Sequence, residues 1–297
     1  MERKETSVHK DVYAFVTDRI VDQLNKGVVP WRKPWSDGGI PRNLISHRAY
    51  RGINVMLLAS LGYEQNYFLT YKQLKTAGGK IKQGERGHLV VYWNFAEFDL
   101  NDGINEKRKI PYLRYYTVYN IAQCEGLEEL IPPFDVNELN PIPACERIVA
   151  EMPNPPKIQH KEQKAYYNPL IDVVNMPKQN SFDTIENYYV TLFHELVHST
   201  GHISRLNRKD LLQMAEFGCD PYSQEELVAE MGACYVLSYA GIPFEMEQSA
   251  AYIAGWLCKL QYDRRFVFNA ATLAQKAADY ILNLKPEFEQ AQRDLSE

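Results

Sequence analysis

The sequence has few cysteines and no long apolar run, and each shortage excludes a class of protein. The five cysteines are odd in number and widely spaced, and no two of them form a Cys-x-x-Cys pair. This pattern argues against a disulfide framework and against zinc held by cysteines, and it favours reduced thiols in a cytoplasmic protein. No stretch approaches the roughly 20 apolar residues that span a bilayer, so we expect no membrane partner.

The first thirty residues also lack an uninterrupted apolar core and a small-residue cleavage site, so we expect no secretory signal. What the chain does contain is typical of a soluble globular protein, with 45% hydrophobic and 24% charged residues. Its 297 residues are enough for two ordinary domains.

Charge is divided unevenly along the chain. Residues 1–124 carry 19 Lys and Arg against 12 Asp and Glu, whereas residues 125–297 carry 14 against 26. The net charge of −5 therefore combines a basic first half with an acidic second half. Such a division suggests a different partner for each half, and a polyanion is the natural partner of the basic one.

Seven of the 16 prolines fall between Pro132 and Pro156 in an acidic stretch, which is typical of a junction between domains. We predict a first domain over residues 1–128, a linker over 129–140 and a second domain over 141–297. The first domain is expected to be α+β, because three helical segments precede two strand-like runs that flank the turn-forming NDGINEKRK and indicate a long hairpin. The second is expected to be mostly helical, with one strand over KAYYNPLIDVVNMP beside a cleft.

The segment TLFHELVHSTGH contains the pattern His-Glu-x-x-His, which marks zinc hydrolysis. Residues four apart share one helix face, so His194 and His198 can direct both imidazoles at one ion, and Glu195 is placed to take a proton from an attacking water. The rest of this helix is apolar, which favours a satisfied polar cluster over histidines on a solvated stripe.

Zinc catalysis needs a third protein ligand, and two alternatives are available. His202 follows His198 by four residues, but Gly201 intervenes. The other alternative is the acidic segment SQEELVAEMG, which without the upstream motif would be an ordinary charged surface helix. We predict Glu226 as the ligand, Glu230 as a group that orients a ligating histidine, and Glu225 as solvent-facing. Tyr222 is a candidate for stabilising an oxyanion, with ordinary packing as its alternative role.

The basic half combines cations with aromatic residues, as proteins that grip single-stranded DNA do. In PWRKPW, prolines stiffen a backbone on which indoles alternate with cations, and the Gly-rich KIKQGERGH offers amides and cations to phosphates. The alternatives are that the indoles pack against the first helix and that the Gly-rich segment is a solvated hairpin. The predicted DNA-binding residues are Trp31, Arg32, Lys33, Trp35, Arg42, Arg48, Tyr50, Arg51, Lys80, Lys82 and Arg86.

Both halves resemble one known family. HELVHSTGHISRLNR and EELVAEMGA resemble the zincin-like peptidase domain of ArdC-type antirestriction proteins, and their spacing is similar to the gluzincin pattern. GVVPWRKPW, RAYRGINVMLL and FLTYKQLKTAGGKIKQGERGHLVVYW resemble the single-stranded-DNA-binding domain of the same family, which also begins some plasmid primases. The resemblance covers almost the whole chain. In the loop from Asp99 to Lys109 no family motif is present.

The resemblance implies protection of transferred plasmid DNA from host restriction, and Glu226 as the ligand because the first glutamate of a gluzincin Glu-x-x-x-Glu helix has that role. The expected partners are single-stranded DNA and a protein substrate that the sequence does not identify, and the expected metal is Zn²⁺, with Mn²⁺ or Co²⁺ as substitutes. Two hypotheses remain open. The protein is a DNA-associated metallopeptidase, or it is a non-catalytic coat on single-stranded DNA whose metal site is structural.

Overall fold

The computed structural model has helices and sheets in both halves, and the α+β class predicted from the sequence is confirmed. Of the predicted linker, only residues 129–130 are described, so the domain boundaries stay a prediction. The described residues are 11–29, 40–99, 107–127, 129–130, 141–208, 224–242 and 250–284.

The first half is a four-stranded sheet with helices packed against it. Its sheet has the order β1-β2-β5-β4, and β4 and β5 form the predicted long hairpin, with His88 opposite Val118 and Asp99 opposite Lys107. The elements are α1 Val12–Asn25, β1 Arg42–Asn43, α2 Ile53–Ala59, β2 Tyr67–Thr70, α3 Tyr71–Thr76, β3 Lys80–Ile81, β4 His88–Asp99, β5 Lys107–Asn120 and β6 Cys124–Glu125.

Asn54 protects the free edge of this sheet. Its side-chain amide donates to the backbone carbonyl of Val91 at 2.6 Å, and its oxygen accepts from the Val91 amide at 2.8 Å. Both groups belong to β4, the outermost strand of the sheet order, whose unpaired backbone would otherwise be available to another chain. Helix α2 is thereby fixed against the hairpin.

The second half consists of five helices and a small sheet among its described residues. The sheet has the order β7-β9-β8, with β7 parallel and β8 antiparallel to β9. The elements are α4 Pro141–Glu151, β7 Lys157–Gln159, β8 Tyr166–Asn168, β9 Val173–Asn175, α5 Ile185–Thr200, α6 Gln224–Ala240, α7 Ala250–Tyr262 and α8 Phe266–Ile281.

The single strand predicted over residues 164–177 is wrong, because the segment folds back on itself as β8 and β9. The side chain of Asn168 accepts from the amide of Leu170 at 3.0 Å, and Asp172 has a φ of 51°, which extended backbone cannot adopt. These two residues make a turn where the hydrophobic pattern alone is continuous. Cysteine thiols in the described residues are free, as expected.

The two halves share one apolar core. Val16, Ile20 and Met56 from the first half lie in the same buried cluster as Phe193, Val236 and Ala274 from the second. Polar contacts join the same surfaces. The Gly52 amide donates to the Gln275 side chain at 2.9 Å, and the Tyr235 hydroxyl donates to the Gly52 carbonyl at 3.0 Å.

Helices α5 and α6 pack closely because Gly232 lies at their contact. A Cβ built at Gly232 would lie 2.9 Å from both methyl groups of Val197, and real Cβ atoms do not approach so closely. The small residue therefore sets the distance between the two helices that carry the predicted metal ligands.

The loop after α5 is anchored by Arg205, whose side chain is fully buried. Its guanidinium donates to both carboxylate oxygens of Asp172, to the Ser199 carbonyl at 2.7 Å and to the Asn154 carbonyl at 3.1 Å. Partial burial raises the pKa of Asp172, but hydrogen bonds from Arg205 and Tyr167 outweigh it and hold the pKa below its ordinary value of 3.8. The loop is thus joined to the β8–β9 turn by an ion pair.

We expect Arg205→Met to lower the free energy of unfolding by about 2 kcal/mol, less than for a fully buried pair because Asp172 retains contact with water. A carboxylate with a depressed pKa stabilises the folded state above its unfolded pKa and loses that contribution as the pH falls through the folded value. The difference between wild type and variant in urea unfolding should therefore be constant near neutral pH and narrow below 3.8. A difference that widens in acid would contradict this account.

In the part of the chain that the structure describes, no helix has the length and apolarity needed to cross a membrane.

Candidate metal centre

Helix α5 presents two histidines on one face. Its first turn is capped by Thr184, whose hydroxyl accepts from the Asn187 amide at 3.2 Å. Buried apolar residues, Phe193 and Leu196 among them, fix the helix against the core. The rings of His194 and His198 lie edge to face at 4.8 Å between centroids, with their Nε2 atoms 3.2 Å apart. One turn of helix therefore brings two imidazole nitrogens to one point, as the spacing predicts.

Glu226 on α6 completes the cluster. Its Oε2 lies 3.5 Å from His194 Nε2, and its Oε1 lies 3.4 Å from His198 Nε2. The three donor atoms lie within 4.8 Å of one another, and this is the one group of its kind among the described residues. Two nitrogens and a carboxylate form a donor set that suits zinc and related divalent ions.

The prediction that Glu225 faces solvent is wrong. Its side chain is 1% exposed and its Oε1 lies 3.4 Å from Nδ1 of His198. Arg208, which the sequence analysis did not single out, donates to both oxygens of Glu225. Glu230 is buried one turn further along α6, but the carboxylate found at Nδ1 of His198 belongs to Glu225. The prediction that Glu230 orients a ligating histidine stays a prediction.

The electrostatic field at His198 favours positive charge. Burial alone lowers the pKa of the imidazole, but hydrogen bonds with Glu225 and Glu226 and the charges of Glu226 and Glu195 raise it to about 10. Burial likewise raises the pKa of Glu226, and the two histidines outweigh it and hold that pKa well below its ordinary range. A proton is thus stabilised between these carboxylates, and a divalent cation at the same point would meet the same field. The residues present therefore fit a metal ion.

Glu195 lies beside this cluster. It directly follows His194 on α5, its side chain is largely buried, and its negative charge acts on His198. A buried carboxylate at the edge of a cation site is placed to accept a proton.

His202, the alternative third ligand, does not join the cluster. His202 lies in the turn after α5, where Nδ1 is 2.8 Å from the Ser204 hydroxyl, and the metal-ligand group of the described residues does not include it. Helix α5 ends at Thr200 with Gly201 as its cap, so His202 lies beyond the helix that carries His194 and His198. Tyr222 lies outside the described residues.

Of the predicted DNA-binding residues, one is buried and one is engaged in an ion pair. Tyr50 is 7% exposed and packs edge to face on Phe68, so its ring cannot stack on a base. Arg51 pairs with the buried Asp279 of α8, so its guanidinium joins the two halves. Trp31, Arg32, Lys33 and Trp35 lie outside the described residues. The exposed predicted residues are Arg42, Arg48, Arg51, Lys80, Lys82 and Arg86.

Neither the contact of Arg208 with Glu225 nor the position of Glu225 beside His198 was predicted from the sequence. The available signal was the pair of adjacent glutamates at the start of α6, since consecutive helix positions point in directions about 100° apart and can reach two sides of one ring. Tyr115 on β5, which is not among the predicted DNA-binding residues, is half exposed.

Comparisons with known proteins cover both halves. Residues 143–273 match the family model of zincin-like metallopeptidases, and residues 10–119 match the N-terminal domain of the anti-restriction factor ArdC. The crystal structure of the antirestriction ArdC protein from the R388 plasmid is similar in its metal-free form, with a TM-score of 0.73, 38% identity and coverage of 93% of this chain and 99% of that one. Its Mn(II)-bound form has a TM-score of 0.72, with 37% identity and coverage of 94% and 100%.

Curated relatives are of two lengths. The protein y4eC of Sinorhizobium fredii (strain NBRC 101917 / NGR234) is 34% identical, over 91% of each chain. Two proteins named DNA primase TraC from Escherichia coli are also 34% identical, over 96% and 95% of this chain. The match spans only 28% and 20% of their own lengths.

Proposed function

The chain belongs to the ArdC antirestriction family, and we propose that it protects transferred plasmid DNA from host restriction by joining a single-stranded-DNA-binding half to a metal-dependent peptidase half. The observation that carries the proposal is the convergence of His194, His198 and Glu226, within 4.8 Å, beside the buried carboxylate of Glu195. Three protein ligands leave a position for substrate or water, which distinguishes a catalytic site from a closed structural one.

The proposed reaction is hydrolysis of a peptide bond. A divalent ion held by His194, His198 and Glu226 would polarise the substrate carbonyl and activate water. Glu195 takes the proton from the attacking water on its carboxylate and returns it to the amine as the carbon–nitrogen bond breaks. Water supplies the hydroxyl group of one product and the hydrogen of the other, so no further reactant is required.

Zinc is the proposed ion, and manganese or cobalt could occupy the same donor set. Imidazole suits several first-row ions, and a carboxylate also suits manganese. The Mn(II)-bound form of the R388 ArdC protein shows that a relative takes that ion. To determine which ion this chain prefers, the affinity for each metal is measured alone and in competition with a second metal.

We expect His194→Ala to abolish stoichiometric metal binding, because one of three ligands is lost and a single imidazole with a single carboxylate holds an ion only weakly. Elemental analysis of the purified protein and of the variant gives the ratio of metal to chain. The matched control is His202→Ala, which removes a histidine that lies outside the cluster and should leave the ratio unchanged. Equal metal content in wild type and His194→Ala would show that the cluster is not the metal site.

The first half is proposed to bind single-stranded DNA without reading its sequence. Its support is the exposure of the cations on the predicted basic segments, together with the half-exposed Tyr115, whose ring offers a stacking face. Arg48 and Arg86 are exposed, and no ion pair of their side chains is found within the described residues. They are therefore free to meet phosphates.

We expect Arg48→Gln/Arg86→Gln to weaken single-strand binding and to reduce the slope of log affinity against log salt by about 0.7 for each phosphate that is no longer neutralised. Fluorescence anisotropy with labelled oligothymidine, measured over a series of salt concentrations, gives the slope. The matched control is Lys161→Gln/Lys164→Gln, which removes two exposed cations from the second half. If both double variants retain the wild-type slope, these arginines do not contact the strand.

A further inference from the structure

The two nitrogens of His198 face different partners. Nε2 faces the cluster, 3.2 Å from His194 and 3.4 Å from Glu226, whereas Nδ1 lies 3.4 Å from Oε1 of Glu225. Glu225 and Glu226 are neighbours at the start of α6, yet they approach opposite sides of the same ring. The ring is thus held between two carboxylates, of which one belongs to the predicted metal site.

Arg208 holds Glu225 in this position. Its Nε donates to Glu225 Oε2 at 2.9 Å, and one Nη donates to Oε1. The remaining donors reach the Thr200 hydroxyl at 2.6 Å and the Val197 carbonyl at 2.8 Å, both in the last turn of α5. A carboxylate buried this deeply is costly unless it is paired, and the buried guanidinium supplies the partner. Arg208 thereby joins the end of α5 to the beginning of α6.

We infer that Glu225, held by Arg208, is a positioning residue that fixes the His198 ring so that Nε2 faces a bound divalent ion. The inference rests on the proposed metal site. An imidazole ligand must present an unprotonated nitrogen, and the hydrogen bond made by the other nitrogen decides which one that is. A carboxylate acceptor at Nδ1 keeps the proton there and leaves the lone pair of Nε2 for the ion. Neither Glu225 nor Arg208 belongs to the group of ligand atoms, so both act through His198.

The test is the affinity of the metal-free protein for MnCl₂, measured by isothermal titration calorimetry. Loss of a partner behind a ligating histidine typically costs 10- to 100-fold in metal affinity, so Glu225→Gln is expected to weaken Mn(II) binding by about that factor. The electron paramagnetic resonance spectrum of bound Mn(II) should also change, because the ligand ring loses its fixed orientation. This readout does not depend on catalysis.

A second variant separates positioning from folding. Arg208→Met leaves the buried Glu225 without the guanidinium that neutralises it and is expected to unfold easily. The double variant Arg208→Met/Glu225→Gln removes both buried charges, so it should fold, and it should bind Mn(II) as weakly as Glu225→Gln. The matched control is Arg205→Met, since Arg205 is buried on the same loop but pairs with Asp172. It should lose stability and keep the wild-type affinity.

The outcomes separate this inference from the proposed function. If the wild type binds no Mn(II), the proposed metal site itself is wrong. If the wild type binds Mn(II) and both Glu225→Gln and the double variant match it, the site stands and the positioning role is overturned. If Arg205→Met weakens binding as much as Glu225→Gln does, the effect is a general loss of stability and the inference also fails.

Discussion

Replacement of Glu195 by glutamine is expected to lower the rate of peptide-bond hydrolysis by about 10²- to 10⁴-fold, the range that a positioned general base contributes. The amide has nearly the shape of the carboxylate but cannot accept a proton at neutral pH. Because Glu195 is not among the three ligand residues, the variant should keep its metal and its fold. Hydrolysis is measured by mass spectrometry on a pooled peptide library, beside metal content and thermal unfolding.

The same variant separates the two hypotheses for antirestriction. If proteolysis is required, Glu195→Gln should retain single-strand binding and lose protection of incoming plasmid DNA in a conjugation assay. If the protein acts by coating the strand, protection should survive. The matched control is Glu186→Gln in the first turn of α5, which changes the same charge on the same helix away from the cluster. Unchanged hydrolysis by Glu195→Gln would remove Glu195 from the proposed mechanism.

Gly232→Val is expected to lower the free energy of unfolding by about 3 kcal/mol and to weaken metal binding at the same time. A Cβ at this position already lies 2.9 Å from Val197, which is fully buried and cannot move aside, and valine adds two more methyl groups. Overpacking of a well-packed core costs about 1–3 kcal/mol, and here relief requires α5 and α6 to move apart. That movement separates Glu226 from His194 and His198. Urea unfolding and calorimetric titration with Mn(II) measure the two effects.

Relief of the crowding is the control for this prediction. Val197→Ala removes both methyl groups that the new side chain meets, so Gly232→Val/Val197→Ala should recover part of the lost stability and part of the metal affinity. Because the two side chains would touch, the effects of the two substitutions on stability are expected to be non-additive, with the double variant more stable than the sum of the single effects. If the double variant is as unstable as the sum of the single ones, the helix spacing is not set by this contact.

The parts of the fold that follow from local periodicity could be predicted from the sequence. His194 and His198 are four residues apart on an apolar helix, and their convergence needs no knowledge of the rest of the molecule. The β4–β5 hairpin likewise follows from two strand-like runs around a turn-forming segment. In both cases the interacting residues are close along the chain, so their spacing in the sequence is enough to predict their contact.

The parts that depend on distant packing could not be predicted in the same way. Glu225 and Glu226 differ by one position, and which of them reaches which nitrogen depends on the rotation of α6 against α5, set by Gly232 and Val197. Arg208 lies in a polar segment whose composition is typical of a surface loop, so the sequence does not indicate that it is buried. Tyr50 lies between Arg48 and Arg51 in the sequence, as an aromatic residue that binds DNA would. Only its packing against the sheet shows that the ring is buried.

Ion pairs join the basic half to the acidic half. Arg51 contributes to the basic balance of the first half, yet its charge is taken up by Asp279 of the acidic half. The Arg264–Asp11 pair joins the halves with the signs reversed, so these two pairs together leave the net balance of each half unchanged. In the proposed binding of a single strand, we expect the exposed cations of the first half to make the phosphate contacts.

Because the two halves share one apolar core, separating them would expose apolar surface on each. Cleavage of the chain within residues 129–140 and separation of the pieces would leave Val16, Ile20 and Met56 on one fragment and their neighbours in the core on the other. Each fragment would present to water an apolar surface that it now hides, and would tend to aggregate. The longer TraC relatives align with 96% and 95% of this chain, so both halves have counterparts together in those proteins as well.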